Sequence, residues 1–285
     1  MKILRDRTAL ITGAASGIGR ATAIALAAEG CRLALVDRDA AGLASLAETL
    51  AMGPRLTVHV IDVADRDAHL RLRDEVLAAH DELHLLINNA GVTVAKAFID
   101  HSPEDFAWVI DVNLWGVVWG CHTWLPHMLK NSVGEAHIVN ISSIFGVIGV
   151  PSQTSYCASK FAVRGFSEAL AEELRGTPVK LTVVHPGGVR TGIMSGARAD
   201  DADLQQRLVR FFDRKTLAPE AAAAQLIAGI KADKDRVLIT REAHAFDLIK
   251  RLLPVEGNRI AVRALVRAMG MGQALDAARQ RALQR

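Results

Sequence analysis

The chain has 285 residues, half of them hydrophobic and 23% charged, with a formal net charge of +3. This length supports one large α/β domain, and the small net charge gives no reason to expect a nucleic-acid partner. Its three cysteines, Cys31, Cys121 and Cys157, do not make a disulfide framework, and no apolar run reaches the roughly 18 residues a membrane span needs, so a cytoplasmic protein is expected.

Short apolar runs alternate with longer helical patterns. The runs at 8–12, 32–37, 56–62, 84–88, 136–142, 179–185 and 236–240 read as strands. They are continuously hydrophobic, which marks strands buried on both faces of a parallel sheet. Helical patterns fill 17–29, 41–51, 66–81, 103–131, 154–175 and 219–232. Ser102-Pro103-Glu104-Asp105 is a good helix start, with Pro in the first turn and acids at its positive end. The alternation predicts an α/β fold: a doubly wound parallel sheet of about seven strands, with helices on both faces. After Thr240 come helical stretches broken at Pro254, Gly257, Gly270 and Gly272. From Arg241 onward there are nine Lys/Arg against four Asp/Glu, a +5 balance that leaves −2 for the rest.

The first strand ends in Thr12-Gly13-Ala14-Ala15-Ser16-Gly17-Ile18-Gly19 and a helix follows at once. Glycines there permit a tight turn and close approach of a pyrophosphate, and the helix N-terminus supplies free N–H groups and a positive dipole end. This context marks a Rossmann-type dinucleotide loop, with Gly13, Ser16, Gly17, Ile18 and Gly19 as candidate cofactor residues. Asp37 ends the second strand, where a carboxylate can bind both ribose hydroxyls of NAD and repel the 2′-phosphate of NADP. Arg38 follows and offers that phosphate a partner. With Ser16 not basic, NAD is the expected cofactor and NADP the alternative.

Six motifs in order make the chain resemble the short-chain dehydrogenase/reductase family over roughly residues 5–242. They are the glycine loop at 12–19, Asn88-Asn89-Ala90-Gly91, Asn113, Asn140-Ile141-Ser142-Ser143, Tyr156-Cys157-Ala158-Ser159-Lys160, and Pro186-Gly187-Gly188-Val189-Arg190-Thr191. The resemblance implies that Asp62 and Val63 hold the adenine, that Asn89 and Gly91 line the adenosine ribose with Ala90 a further cofactor contact, and that Val189 and Thr191 hold the carboxamide. It implies a catalytic set of Asn113, Ser143, Tyr156 and Lys160. Ser143 is chosen over Ser142 because the family places its serine 13 residues before the tyrosine, and neighbouring strand residues face opposite ways. By the same resemblance, Ser143 donates to the substrate oxygen and Asn113 holds a water that links Lys160 to solvent.

The tyrosine and lysine make chemical sense without the resemblance. Reducing a ketone requires a proton on its oxygen, and oxidising an alcohol requires its removal. Tyr156 is the chain's only tyrosine; a free phenol has a pKa near 10, too high for a good base at neutral pH. Lys160 lies four residues on, one helical turn away, so its ammonium is expected to lower that pKa. Tyr156 and Lys160 also count among the expected cofactor contacts. The expected activity is hydride transfer between NAD(P) and a small, apolar secondary alcohol or ketone. A non-catalytic NAD(P) sensor and an epimerase or dehydratase on the same fold are the alternatives.

Other features are less specific. All four tryptophans fall at 103–131, and Trp108, Trp115 and Trp119 recur at seven and four, as on one helical face. That face is read as packing; what the resemblance implies instead is the interface of a homodimer or homotetramer. Cys157 is read as small-residue packing, and no histidine spacing suggests a metal. Phe145-Gly146-Val147-Ile148-Gly149-Val150 is expected to flank the substrate, under a mobile lid at 191–215 with Ile193, Met194, Leu208, Phe211 and Phe212 as apolar candidates. Residues 1–242 are read as one catalytic domain and 243–285 as a basic helical extension. The extension is taken as a solvated cap on the domain or a partner subunit; contact with an anionic membrane surface is the alternative.

Overall fold

The computed structural model describes residues 1–284; Arg285, the last residue of the expected extension, lies outside the described residues. The chain begins with β1 (Thr8–Thr12), α1 (Gly17–Ala28), β2 (Arg32–Asp37), α2 (Ala40–Leu50), β3 (Leu56–Val60), α3 (Arg66–His80) and β4 (Leu85–Asn88). A two-residue β5 (Val94–Ala95), α4 (Pro103–Ile110), α5 (Gly116–Met128), β6 (Ala136–Ile141), α6 (Thr154–Glu173) and β7 (Val179–Pro186) follow. The remainder is β8 (Arg198–Ala199), α7 (Ala202–Lys215), α8 (Pro219–Lys231), β9 (Arg236–Ile239), α9 (Arg241–Leu252), α10 (Glu256–Met269) and α11 (Gly272–Gln284).

Seven strands form one sheet in the order β3-β2-β1-β4-β6-β7-β9, and every pairing is parallel. The order reverses between β1 and β4, and in such sheets ligands bind beyond the carboxyl ends of the strands at that point. Successive strand residues face opposite sides. Ile11, Leu33, Ile87 and Val184 therefore pack with Leu26, Leu226 and Ile230 of α1 and α8. Leu10, Leu86, Ile138 and Leu181 pack with Val76, Trp124 and Val163 of α3, α5 and α6. Burial on both faces holds for the inner strands but not for the edge strand β3, where Val58 and Val60 stand exposed.

A polar thread crosses the second of these cores. Asn88 Nδ2 donates to Asn140 Oδ1 at 2.9 Å, Asn140 Nδ2 to Ser167 Oγ at 3.0 Å, and Ser167 Oγ to the Val163 carbonyl at 2.7 Å. All three side chains are buried. Gly120 of α5 lies against the thread: a Cβ there would come within 2.4 Å of Asn88 Oδ1.

The helix expected over 103–131 is interrupted. Asp111–Trp115 form a π-helical turn between α4 and α5. A wider turn rotates everything after it relative to everything before. Trp108 therefore leaves the face it was expected to share: its ring lies 3.9 Å from the Arg198 guanidinium carbon. Trp115 and Trp119 stack on each other with centroids 5.0 Å apart, and Trp124 is fully buried.

The segment over the sheet's carboxyl edge is tied down at two places. β8 pairs with β5 through Val94↔Arg198 and Ala95↔Ala199. Buried Asp105 receives Lys96 Nζ at 2.8 Å and Arg198 at 3.0 Å, which holds its carboxyl below the usual carboxylate range. The extension folds back onto the same edge. Asn258 of α10 grips Gly149 from both sides, accepting from its N–H at 2.8 Å and donating to its carbonyl at 3.2 Å. No helix among the described residues is long and apolar enough to cross a membrane.

Candidate active site

The carboxyl ends of β1, β2, β4, β6 and β7 open onto a cavity of about 660 Å³. At its floor Gly13 adopts a left-handed φ of 67°, and a Cβ there would meet Asn89 Nδ2 at 2.8 Å and the Ala90 Cα at 2.9 Å. Only glycine fits that conformation and approach. Asn89 fixes the turn, donating from Nδ2 to the Thr12 carbonyl at 2.9 Å. No side chain caps α1 at Ser16 and no acid sits in its first turn. The first-turn N–H groups have no helical partner, and together with the open dipole end they fit a pyrophosphate. Gly13, Ser16, Gly17, Ile18, Asn89, Ala90, Gly91, Val189 and Thr191 all line the cavity. Gly19 does not. Its missing Cβ instead allows close packing on the Gly13 carbonyl, 2.0 Å from where that atom would be.

Asp37, Arg38, Asp62 and Val63 wall one end of the cavity. Asp37 accepts from Ala15 N–H at 2.9 Å and Asp39 N–H at 3.1 Å. Two backbone donors thus hold the carboxylate at the carboxyl end of β2. Asp62 accepts from Ala64 N–H at 2.9 Å, and Val63 packs behind Gly116 of α5.

Ser143, Tyr156 and Lys160 meet further along the wall. α6 carries Tyr156 and Lys160 one turn apart, with Lys160 Nζ 5.7 Å from the Tyr156 ring centroid. Ser142 turns toward the helix and donates to the Lys160 carbonyl at 2.8 Å. Ser143 hydrogen-bonds the Tyr156 side chain, and its own carbonyl is held by His185 Nδ1 at 3.0 Å. Burial keeps His185 neutral, with its pKa pushed down to about 4; the ring therefore donates from Nδ1 to that carbonyl. Phe145 meets Tyr156 edge-on at 6.1 Å. Cys157 accepts from Val150 N–H at 3.3 Å and supports the 145–150 loop, its thiol pushed up to about 11 by burial.

The electrostatics correct one expectation. In this structure the Tyr156 pKa is raised rather than lowered. Burial pushes the phenol up to about 12, opposed by the Ser143 hydrogen bond. Burial also pushes Lys160 down to about 8. The ammonium gives a hydrogen bond to the Ile141 carbonyl at 2.8 Å, and loss of water outweighs attraction between the two groups. A second positive charge beside the ring would favour the phenolate.

Asn113 stands behind the cavity, in the π turn. It accepts from Val92 N–H at 2.8 Å and donates to the Val92 carbonyl at 2.9 Å and to Ser159 Oγ at 3.0 Å. Asn113 Oδ1 and Lys160 Nζ flank Gly91, lying 3.3 and 3.6 Å from where its Cβ would be. The amide is thus held near the ammonium with one oxygen lone pair to spare.

Several wall residues were not legible in the sequence. Thr93 and Gln153 form a buried polar pair at 2.7 Å. Glu242 accepts from Gly188 N–H at 3.1 Å. Phe246 of α9 and Ala264, Leu265, Ala268 and Met269 of α10 come from the extension. Only the three- and four-residue spacing of that last set hinted at a common face. Of the apolar lid candidates, Ile193, Met194, Phe211 and Phe212 line the cavity; Leu208 packs behind them. Among the described residues no cluster of His, Cys, Asp or Glu could hold a metal ion.

Residues 7–202 match the family model described as short chain dehydrogenase. The chain is 40% identical over 273 residues to a Mycobacterium tuberculosis protein named as oxidoreductase SadH, covering 94% of this chain and 98% of that one. A short-chain dehydrogenase/reductase from Burkholderia phymatum in complex with NAD superposes with a TM-score of 0.83 at 32% identity, covering 88% of this chain and 95% of that one. A Mycobacterium paratuberculosis short chain dehydrogenase bound to NAD gives 0.73 at 28% identity, with 83% and 97% covered. Motifs, sheet order and these likenesses agree: the chain belongs to the short-chain dehydrogenase/reductase family of oxidoreductases.

Proposed function

We propose that the protein interconverts an apolar secondary alcohol and its ketone, using NAD in preference to NADP. The observation that carries this reading is the meeting of Ser143, Tyr156 and Lys160 on one wall of the cavity whose floor is the glycine loop. A bound nicotinamide supplies or accepts the hydride and, oxidised, brings positive charge to the buried phenol. In the oxidation direction Tyr156 Oη, as phenolate, takes the hydroxyl proton while the C–H bond gives up its hydride and the C=O forms. In reduction the phenol returns that proton to the carbonyl oxygen. Ser143 Oγ–H donates to the same oxygen as its negative charge grows, and His185 fixes the serine's backbone. Lys160 holds the proton supply behind Tyr156, and Asn113 positions a water for its exchange with solvent.

NAD preference rests on Asp37, whose pinned carboxylate favours a free ribose hydroxyl over a phosphate; the NAD-bound neighbours support it. Residues 1–242 form the catalytic unit, and the described part of the extension, 243–284, adds a helical wall to its pocket. Trp115 at the end of the π turn and Phe161 on α6 are 42% and 40% exposed, and a homodimer or homotetramer is proposed to cover them. The three free cysteines, all buried, suit a reducing cytoplasm.

The test is a panel of secondary alcohols and ketones with NAD and NADP, followed at the nicotinamide absorbance. Tyr156→Phe should lower kcat by roughly 10²–10⁴-fold while NAD binding persists. Near wild-type turnover in that variant would contradict the mechanism.

A further inference from the structure

Resting on that reading, we infer that α10 of the C-terminal extension forms the seat for one linear alkyl arm of the substrate, and that Ala264 and Ala268 set how long an arm fits. α10 lies beyond residues 7–202, where the family model matches. Its residues Ala261, Ala264, Leu265, Ala268 and Met269 recur at three and four, so they share one face. The last four of them line the cavity. Arg259, Arg263 and Arg267 recur at four on a different face and do not line it.

The helix joins two apolar clusters. On one side Leu265 packs with Phe145, Phe246, Ile144 and Ile148, and Phe145 touches the Tyr156 ring. On the other side Met269 and Val266 pack with Ile193, Met194 and Phe212 of the lid segment. An apolar path thus runs from the reacting centre, along α10, to the lid. Ala264 and Ala268 are exposed and lie along this path. Side chains of one carbon leave a trough there, where a leucine or phenylalanine would fill it. The Asn258–Gly149 clasp holds the trough's floor in register with the 145–150 loop.

Charge excludes the other substrate classes. The cavity's charged side chains are Asp37, Arg38, Asp39 and Asp62 at the nucleotide end, Lys160 beneath Tyr156, and Glu242 on Gly188 N–H. None faces the α10 trough from the lid or from α10 itself. A phosphorylated or carboxylate-bearing arm would find no partner there and would lose its water. An alkyl arm needs none, and each methylene it buries strengthens binding.

The experiment compares kcat/KM for 2-octanone and 2-butanone with NADH in wild type, Ala264→Phe, Ala268→Phe and, elsewhere on the helix, Arg259→Ala. Wild type should favour 2-octanone by about tenfold or more. Each phenylalanine variant should lower the octanone-to-butanone ratio by about tenfold, through KM rather than kcat, and Arg259→Ala should leave the ratio in place. A ratio unmoved in both phenylalanine variants overturns the inference, as does a wild type that prefers 2-butanone. Failure of the functional reading is distinguishable, because wild type would then reduce neither ketone. Calorimetric binding of 2-octanol then decides the seat by itself. Binding to wild type that is lost in both variants supports it; equal binding, or none to wild type, overturns it.

Discussion

Replacing Lys160 with methionine should make the protein's stability less dependent on alkaline pH. Lys160 is 2% exposed, and burial brings its pKa from 10.5 down to about 8. In the unfolded chain the lysine stays protonated to about pH 10.5. Between these values the unfolded state binds more protons than the folded one, so stability rises with pH. The gap corresponds to about 3 kcal/mol that folding loses at neutral pH by enclosing an ammonium. Methionine fills similar volume without charge but strips the Ile141 carbonyl of its 2.8 Å donor, a cost of about 1–3 kcal/mol. At pH 7 the variant should therefore be between equal to wild type and about 2 kcal/mol more stable. From pH 7 to pH 10 wild type should gain about 2–3 kcal/mol on it. Urea unfolding of both proteins at the two pH values measures this difference, in which the remaining titrating groups largely cancel. A difference that stays constant to within about 0.5 kcal/mol would mean that the lysine is hydrated or already neutral, and the reasoning would fail.

Asp105→Asn should cost about 1–3 kcal/mol by leaving Lys96 and Arg198 without their shared carboxylate, read as a lower Tm and faster proteolysis within 191–215. Because that carboxyl is held below its unfolded value of 3.8, wild type should lose the same contribution as pH falls through the acid range; an unchanged Tm in the variant refutes the clasp. Asp37→Ser should shift the NAD-to-NADP ratio of kcat/KM toward NADP by about tenfold, and an unchanged ratio would remove Asp37 from cofactor choice. Trp115→Glu should convert an oligomer to monomers in light scattering, whereas an unaltered mass would place the subunit contact elsewhere.

Seven strands and the helices between them were legible because a sheet covered on both faces writes itself as short apolar runs at regular intervals. That the glycine loop, Asp37 and the Tyr156–Lys160 pair line one cavity was legible because each lies in a local segment whose conformation is set by its own residues, whereas Ser143 was picked out only by the family's spacing. The π turn at Asp111–Trp115 was not. Nothing in a 3.6-residue pattern announces one added residue, and the contact just beyond it is tertiary: Gly116 seats against Val63, 2.9 Å from where its Cβ would be. That turn moved Trp108 off the expected face. The return of α10 to the cavity was hidden for a similar reason, since the anchor is a hydrogen bond between residues 109 apart in sequence. The direction of the Tyr156 shift was misjudged because spacing reports proximity of charge but not the loss of water around it.

The amide thread from Asn88 through Asn140 to Ser167 has a consequence for how the sheet assembles. Apolar strands could slip by two residues and still present the same faces to the same layers. Here such a slip strands two amides and a hydroxyl away from water, at about 1–3 kcal/mol for each group left unmatched. The thread therefore works as a key that admits a single alignment of the fourth and sixth strands. Those two strands carry, at their tips, Asn89 under the glycine loop and Ser143 beside the phenol. Alignment error in the interior would be transmitted directly to the distance between nucleotide and substrate.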